Sequence, residues 1–193
     1  MKQMILAAAI ALGGIMTACN PGNQATQAEA VQADTIANEK PVFLQVAERY
    51  LADSIAPRYA AFELTIPYAS MTCVDGSDST DFKVWGDFWV LNYNVVGDTL
   101  KCVSGGNHPG LMHMRKVGEN YEVTAFEQVE DGAGNEASAR RIFGDNYDAL
   151  HAVSSDQNYR EKARRESVVD YVKLNGLNAR YYQDYGGPAV SIE

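Results

Sequence analysis

The stretch that most constrains this chain is residues 82–103, FKVWGDFWVLNYNVVGDTLKCV, which gathers both tryptophans with aromatic and β-branched residues around a Gly97-Asp98 link. Glycine supplies the positive φ that a two-residue hairpin turn requires, so the stretch reads as a β-hairpin at the centre of a sheet. Successive side chains of a strand point to opposite faces. One face therefore carries Trp85, Asp87, Trp89, Leu91, Tyr93 and Val95; the other carries Val84, Gly86, Phe88, Val90, Asn92, Asn94 and Val96. A strand apolar on both faces is buried on both. A helix is expected on one side, and more protein, a partner or a pocket on the other. The plain alternative is that Trp85 and Trp89 are core, since buried aromatics more often fill space than bind ligands.

With 193 residues, 46% of them hydrophobic and 21% charged, the chain can bury a sizeable core in one domain. A net charge of −9 argues against nucleic acid, whose binding depends on neutralising phosphates. Arg140-Arg141 and Arg164-Arg165 are isolated pairs that read as solvated helix faces.

Residues 1–18 read as a signal peptide: Met1-Lys2-Gln3 is a short basic start, 4–15 is an almost wholly apolar run, and small residues follow. Met16-Thr17-Ala18-Cys19 resembles the lipobox of bacterial lipoproteins, with methionine where leucine is usual. The resemblance implies lipid on Cys19, attachment to a membrane through that lipid, and an address in the bacterial cell envelope. Residues 20–40 carry almost no aromatic or large aliphatic side chain and cannot bury enough apolar surface to order themselves. Residues 19–40 thus read as lipid attachment and flexible tether, and residues 41–193 as a single α+β domain.

That domain begins with a helix opened by Pro41, with Val42, Phe43, Val46, Tyr50 and Leu51 on one face and Pro57 at its end. Residues 66–74 read as a strand, followed by the central hairpin. The run Ser104-Gly105-Gly106-Asn107-His108-Pro109-Gly110 reads as a loop, dense in glycine and proline. Residues 111–116 and 121–129 form a second hairpin around Gly118-Glu119-Asn120. An even-numbered turn places Met112, Met114, Val123 and Ala125 on one face and Leu111, His113, Thr124 and Phe126 on the other. Glu127 then falls on the methionine face. Two amphipathic helices follow, over 138–153 with a possible break near Gly144, and from Ser155-Asp156 to Gly176. The second carries a stripe of Tyr159, Ala163, Val169 and Val172. Residues 177–185, LNARYYQDY, have the alternation of a short final strand.

Cys73 and Cys102 fall on strands either side of the one centred on Trp89, about 9 to 10 Å apart at two inter-strand spacings. A disulfide needs Cα atoms within about 7 Å, so two free thiols are expected.

The chemistry-bearing candidates are few. Asp87 between Trp85 and Trp89 is the most interesting ionisable group, because a carboxylate among aromatics has a raised pKa and can act as a base. Its bland reading is an acceptor for a neighbouring strand or arginine. His108, His113 and Glu127 have donor chemistry suited to a divalent metal, but their spacing matches no strong pattern, and no metal site or cofactor is expected. His108 reads as an exposed polar residue. There is no Gly-x-Ser-x-Gly elbow, no phosphate-binding glycine loop and no paired-cysteine signature.

One amphipathic helix followed by a meander of long antiparallel strands, here residues 41–129, resembles the helix-wrapped curved sheet of cystatin-like and NTF2-like domains. The resemblance implies an apolar pocket between helix and sheet, with Trp85, Asp87, Trp89 and Tyr93 as its ligand-binding residues. The helices and tyrosine-rich segment from Ser138 onward are additions that could fill it. The expected protein is a lipid-anchored envelope protein without catalytic activity that binds a small ligand or peptide through these aromatics. The alternatives are an assembly protein with an exposed aromatic surface at Tyr181, Tyr182 and Tyr185, and an enzyme using Asp87 as base.

Overall fold

The computed structural model describes residues 40–192. The fold is mixed α+β, as expected, with helices on both faces of a six-stranded sheet. Helix α1, Val42–Tyr50, starts after Pro41 and buries Phe43 and Ala47. Leu51 and Ile55 continue that row through a π-helical turn, Leu51–Ile55, and a 3₁₀ turn, Ala56–Arg58, ends it at Pro57. A four-residue repeat drifts around a 3.6-residue helix, and the wider π turn brings Ile55 back to the same face. The buried row is therefore Phe43, Ala47, Leu51 and Ile55, while Val42 is 44% exposed.

Strands β1 (Leu64–Asp75), β2 (Phe82–Val96), β3 (Thr99–Val117) and β4 (Asn120–Gln128) pair in antiparallel sequence. Gly97 and Gly118 adopt φ of 64° and 62° in the two tight turns. The first face of β2 read from the sequence packs on the later helices and the second on α1, where Val84, Phe88, Val90, Met112 and Met114 close one core.

Residues 104–110 are not a loop: they form the middle of the 19-residue β3. Their glycines serve close packing rather than a turn, and none has positive φ. A Cβ on Gly105 would lie 2.7 Å from Leu91 and the Val90 carbonyl, and one on Gly110 2.3 Å from the Glu127 carbonyl. The second hairpin also departs from simple alternation. A register shift between His113 and Met114 pairs Met112 with Phe126, His113 with Ala125 and Leu111 with Glu127. Phe126 thus joins the methionine face, and Glu127 joins that of His113; a β-bulge reverses parity in a way residue spacing does not record.

Three helices follow rather than two. Helix α2, Asn135–Phe143, stops at Gly144, whose φ is 51°; α3, Tyr147–Ser155, and α4, Gln157–Leu174, follow. Asp156 caps α4 by accepting from the Tyr159 amide at 2.9 Å. Gly176 closes it, with Gly176 N–H bonded to Lys173 and Leu177 N–H to Val172, the Schellman pattern. The final segment supplies two short strands. Strand β5, Tyr181–Gln183, runs parallel to the start of β3, and β6, Ala189–Ser191, pairs antiparallel with β5.

On the α4 side, Ile66, Tyr68, Leu91, Tyr93, Leu100, Val168, Val172 and Tyr182 form one core. Leu111, Ile142, Phe143 and Leu150 form another under α2 and α3.

Candidate functional site

The four residues singled out on β2 divide between these cores and the space between them. Trp85 packs with the α2–α3 core and donates its indole N–H to the Ile142 carbonyl at 2.9 Å, which ties α2 to the sheet. Tyr93 is fully buried in the α4 core, and burial, with the Cys102 thiol beside it, pushes its hydroxyl up. Trp89 packs against the same α4 core, and its indole donates to Asp87 Oδ2 at 3.0 Å.

Asp87 has no solvent exposure, and its Oδ1 has no hydrogen-bond partner. Burial raises its pKa; the Trp89 indole, the Asn107 side chain and the positive charge of Arg160 oppose the rise. Across β1, Ser70 stands opposite Asp87 and Tyr68 opposite Trp89. Tyr68 stacks on Trp89 with centroids 5.8 Å apart and planes 5° from parallel. The Tyr68 hydroxyl and Ser70 Oγ are buried and unpartnered. Burial pushes Tyr68 up to about 12, against the pull of Arg164.

Both arginines come from α4. Arg160, Arg164, Val168 and Val172 recur every four residues, so the two arginines extend the buried valine row towards Asp87. Arg164 pairs with Asp184 through Nη1, yet the Nε atoms of Arg160 and Arg164 are shielded and unpartnered. An unpaired buried polar group costs about 1–3 kcal/mol. Several in one neighbourhood mark a place that folding alone does not satisfy. Sequence reasoning missed Tyr68, Ser70, Asn107, Arg160 and Arg164; the spacing of the two arginines before Val168 was the available signal.

The other candidates fall elsewhere. His108 is buried rather than exposed, on the α1 side, with Nε2 2.9 Å from the Tyr59 hydroxyl and Nδ1 2.9 Å from the Gln128 amide nitrogen. Burial and the Arg58 charge lower its pKa. His113, on the opposite face, lies between Asp81 at 2.6 Å and Glu127 at 3.1 Å. Among the described residues no group of three or more histidines, cysteines or acids is placed to hold a metal ion.

Cys102 is a free thiol whose Sγ donates to the Ser104 carbonyl at 3.5 Å. Cys73 is opposite Trp85 and Cys102 opposite Tyr93, so the pair is offset eight positions along β2, about 27 Å. The expectation of two free thiols is nevertheless corrected at Cys73, which is disulfide-bonded. Strand spacing separates Cys73 from Cys102 and places no limit on a partner outside the described residues.

A groove of about 470 Å³ runs along β1 between α1 and α4, with Lys40, Glu48, Met71, Tyr159 and Asp170 in its walls. Burial raises the Glu48 pKa against the pull of Lys40, 2.7 Å away. None of Trp85, Asp87, Trp89 or Tyr93 lines it. Of the tyrosines in the final segment, Tyr182 is core, Tyr181 is half-buried and Tyr185 is 92% exposed. No helix among the described residues is long and apolar enough to cross a membrane.

No family model matches the chain, and neither the curated proteins nor the solved structures searched contain a match.

Proposed function

We propose that this chain is a lipid-anchored protein of the bacterial envelope whose folded body binds a small ligand or peptide without catalysis, on the part of the sheet around Trp89 and Asp87. The observation that carries the binding reading is the set of buried, unpartnered groups there: Asp87 Oδ1, Tyr68 hydroxyl, Ser70 Oγ and the Nε atoms of Arg160 and Arg164. Trp89 is half-buried and Asn107 beside it is exposed, so these two side chains present the neighbourhood to solvent while Asp87, Ser70 and Tyr68 lie beneath them. Full burial of Asp87 gives little support to a general base that must meet substrate directly. The assembly reading retains Tyr185, the one strongly exposed tyrosine of the final segment.

In the Trp85→Phe protein, Trp89 is the sole tryptophan. Its emission should shift on titration with the bound ligand class, and Asp87→Asn should change the affinity. Emission unmoved by peptides and small acids alike would contradict the site.

The signal peptide (1–18), Cys19 and the tether (19–40) lie outside the described residues, so the anchor rests on the sequence. Lipidation occupies the sulfur of Cys19 in a thioether, and a lipidated Cys19 therefore cannot be the disulfide partner of Cys73. The mass of the amino-terminal peptide from membrane fractions, under non-reducing conditions, decides. Diacylglycerol on Cys19 is the expected result and requires the Cys73 disulfide to run to a cysteine of another molecule, because Cys102 is free and the chain has three cysteines; an unmodified or disulfide-linked Cys19 would remove the anchor.

A further inference from the structure

Strand β3 is paired along one edge by β2 from Thr99 to Met114. Its other edge is shared: β4 pairs with residues 110–117 and β5 with residues 99–101. Between them, residues 102–109 have no strand partner among the described residues, a slot about 27 Å long at 3.4 Å per residue. The Pro109 carbonyl accepts from the Val129 amide at 2.8 Å, which fixes the side to which Pro109 points. In an antiparallel ladder both main-chain groups of a residue face one edge and alternate residues share it. Asn107 and Gly105 therefore turn their N–H and C=O groups outward, into the slot, and both residues are exposed.

A row of main-chain donors and acceptors without a partner strand among the described residues is a template for one more strand. We propose that this slot receives an extended, acidic-ended peptide segment of a partner protein as an added strand. The inference rests on the binding reading above and deepens it by naming the ligand class.

Three features select that occupant. The slot is closed at both ends by β4 and β5, so it admits a single strand of about eight residues and not the long paired strands of a second copy. On the α1 face its ends carry exposed basic side chains, Lys101 at one and Arg58 at the other, on a chain of net charge −9. Acidic residues at the two ends of the incoming segment complement them. Val103, within the slot, is 40% exposed, and Tyr185, 92% exposed, lies two residues beyond Gln183, which pairs with Lys101 at the slot's end; both suit apolar side chains. Main-chain pairing supplies affinity in such complexes, and alternate side chains supply specificity.

The test uses the full chain in detergent micelles and amide hydrogen exchange read at single residues. The probe is the blocked heptapeptide Glu-Val-Thr-Val-Thr-Val-Glu, whose two glutamates share one face with the threonines, with two further versions N-methylated at alternate residues, one on each edge. In the free protein the Gly105 and Asn107 amides exchange freely; with the peptide they should slow by about tenfold or more. The version methylated on its β3-facing edge should give no protection. Lys101→Glu combined with Arg58→Glu should weaken the unmethylated peptide by about tenfold. No protection at millimolar peptide, or equal protection by both methylated versions, would overturn the strand addition. A Trp89 emission shift without protection of Gly105 and Asn107 would leave the binding site standing and remove the slot. Loss of both responses would remove both.

Discussion

The two faces of the sheet are closed by helices in contrasting ways. Under α1 the core is Phe43, Leu51, Ile55, Phe88, Val90 and two methionines; of the buried polar residues on that side, His108 has a partner on each ring nitrogen, and Asn92 Oδ1 accepts from Thr65 while its Nδ2 has no partner. Under α4 an equally apolar core is interrupted by Asp87, Ser70 and Tyr68, with two arginines aimed at them and several groups left unpaired. Folding leaves few unpaired groups on the first face, Asn92 Nδ2 among them. The other holds polar groups whose desolvation folding does not repay, and groups of that kind are retained where something else engages them.

The largest expected effect lies on the α1 side. Phe88→Ala removes a fully buried ring packed edge-on to Phe126 at 5.5 Å, and should cost about 3–5 kcal/mol in denaturant unfolding. A much smaller loss would show the α1 core to be loosely packed and the contrast overstated. Gly110→Ala comes next. Its Cβ would meet a main-chain carbonyl that cannot rotate away, so about 1–3 kcal/mol should be lost, with the β3–β4 ladder disturbed first in hydrogen exchange.

Tyr68→Phe deletes one unpartnered hydroxyl on the α4 side. Stability should stay within about 1 kcal/mol of wild type, on the stabilising side, while ligand response at Trp89 weakens. A clear loss of stability would mean that the hydroxyl is satisfied in solution.

Acid should separate the faces with opposite signs. His108 has a lowered folded pKa, so below about pH 6.5 the unfolded chain binds a proton the native state resists, and stability falls towards the folded pKa. Asp87 has a raised folded pKa; as pH falls through it, the native state binds a proton before the unfolded chain does, and stability rises towards about pH 4. Subtracting His108→Gln and Asp87→Asn unfolding curves from wild type isolates each slope. Slopes of the same sign would break the contrast.

Much of the framework was legible in the sequence, and the failures have physical causes. The two faces of β2 and the turns at Gly97 and Gly118 follow from alternation and from positive φ. The middle of β3 was obscured because Gly105, Gly106 and Gly110 serve close approach, and glycine letters do not distinguish that from a turn. A bulge near His113 reversed the parity of β4, which moved Phe126 and Glu127 between faces. For the site, alternation named Asp87 and Trp89. Tyr68 and Ser70 depend on the β1 register, and Arg160 and Arg164 on which side of α4 meets the sheet, neither of which spacing within β2 contains.

Acrylamide quenching of single-tryptophan proteins tests most directly whether the α4 side of the sheet is an open recognition surface. Trp89 alone, in Trp85→Phe, should be quenched in the cooperatively folded protein and shielded when the heptapeptide binds. A Trp89 already shielded before any peptide is added would mean that the helices close this face as completely as α1 closes the other, and would contradict the account.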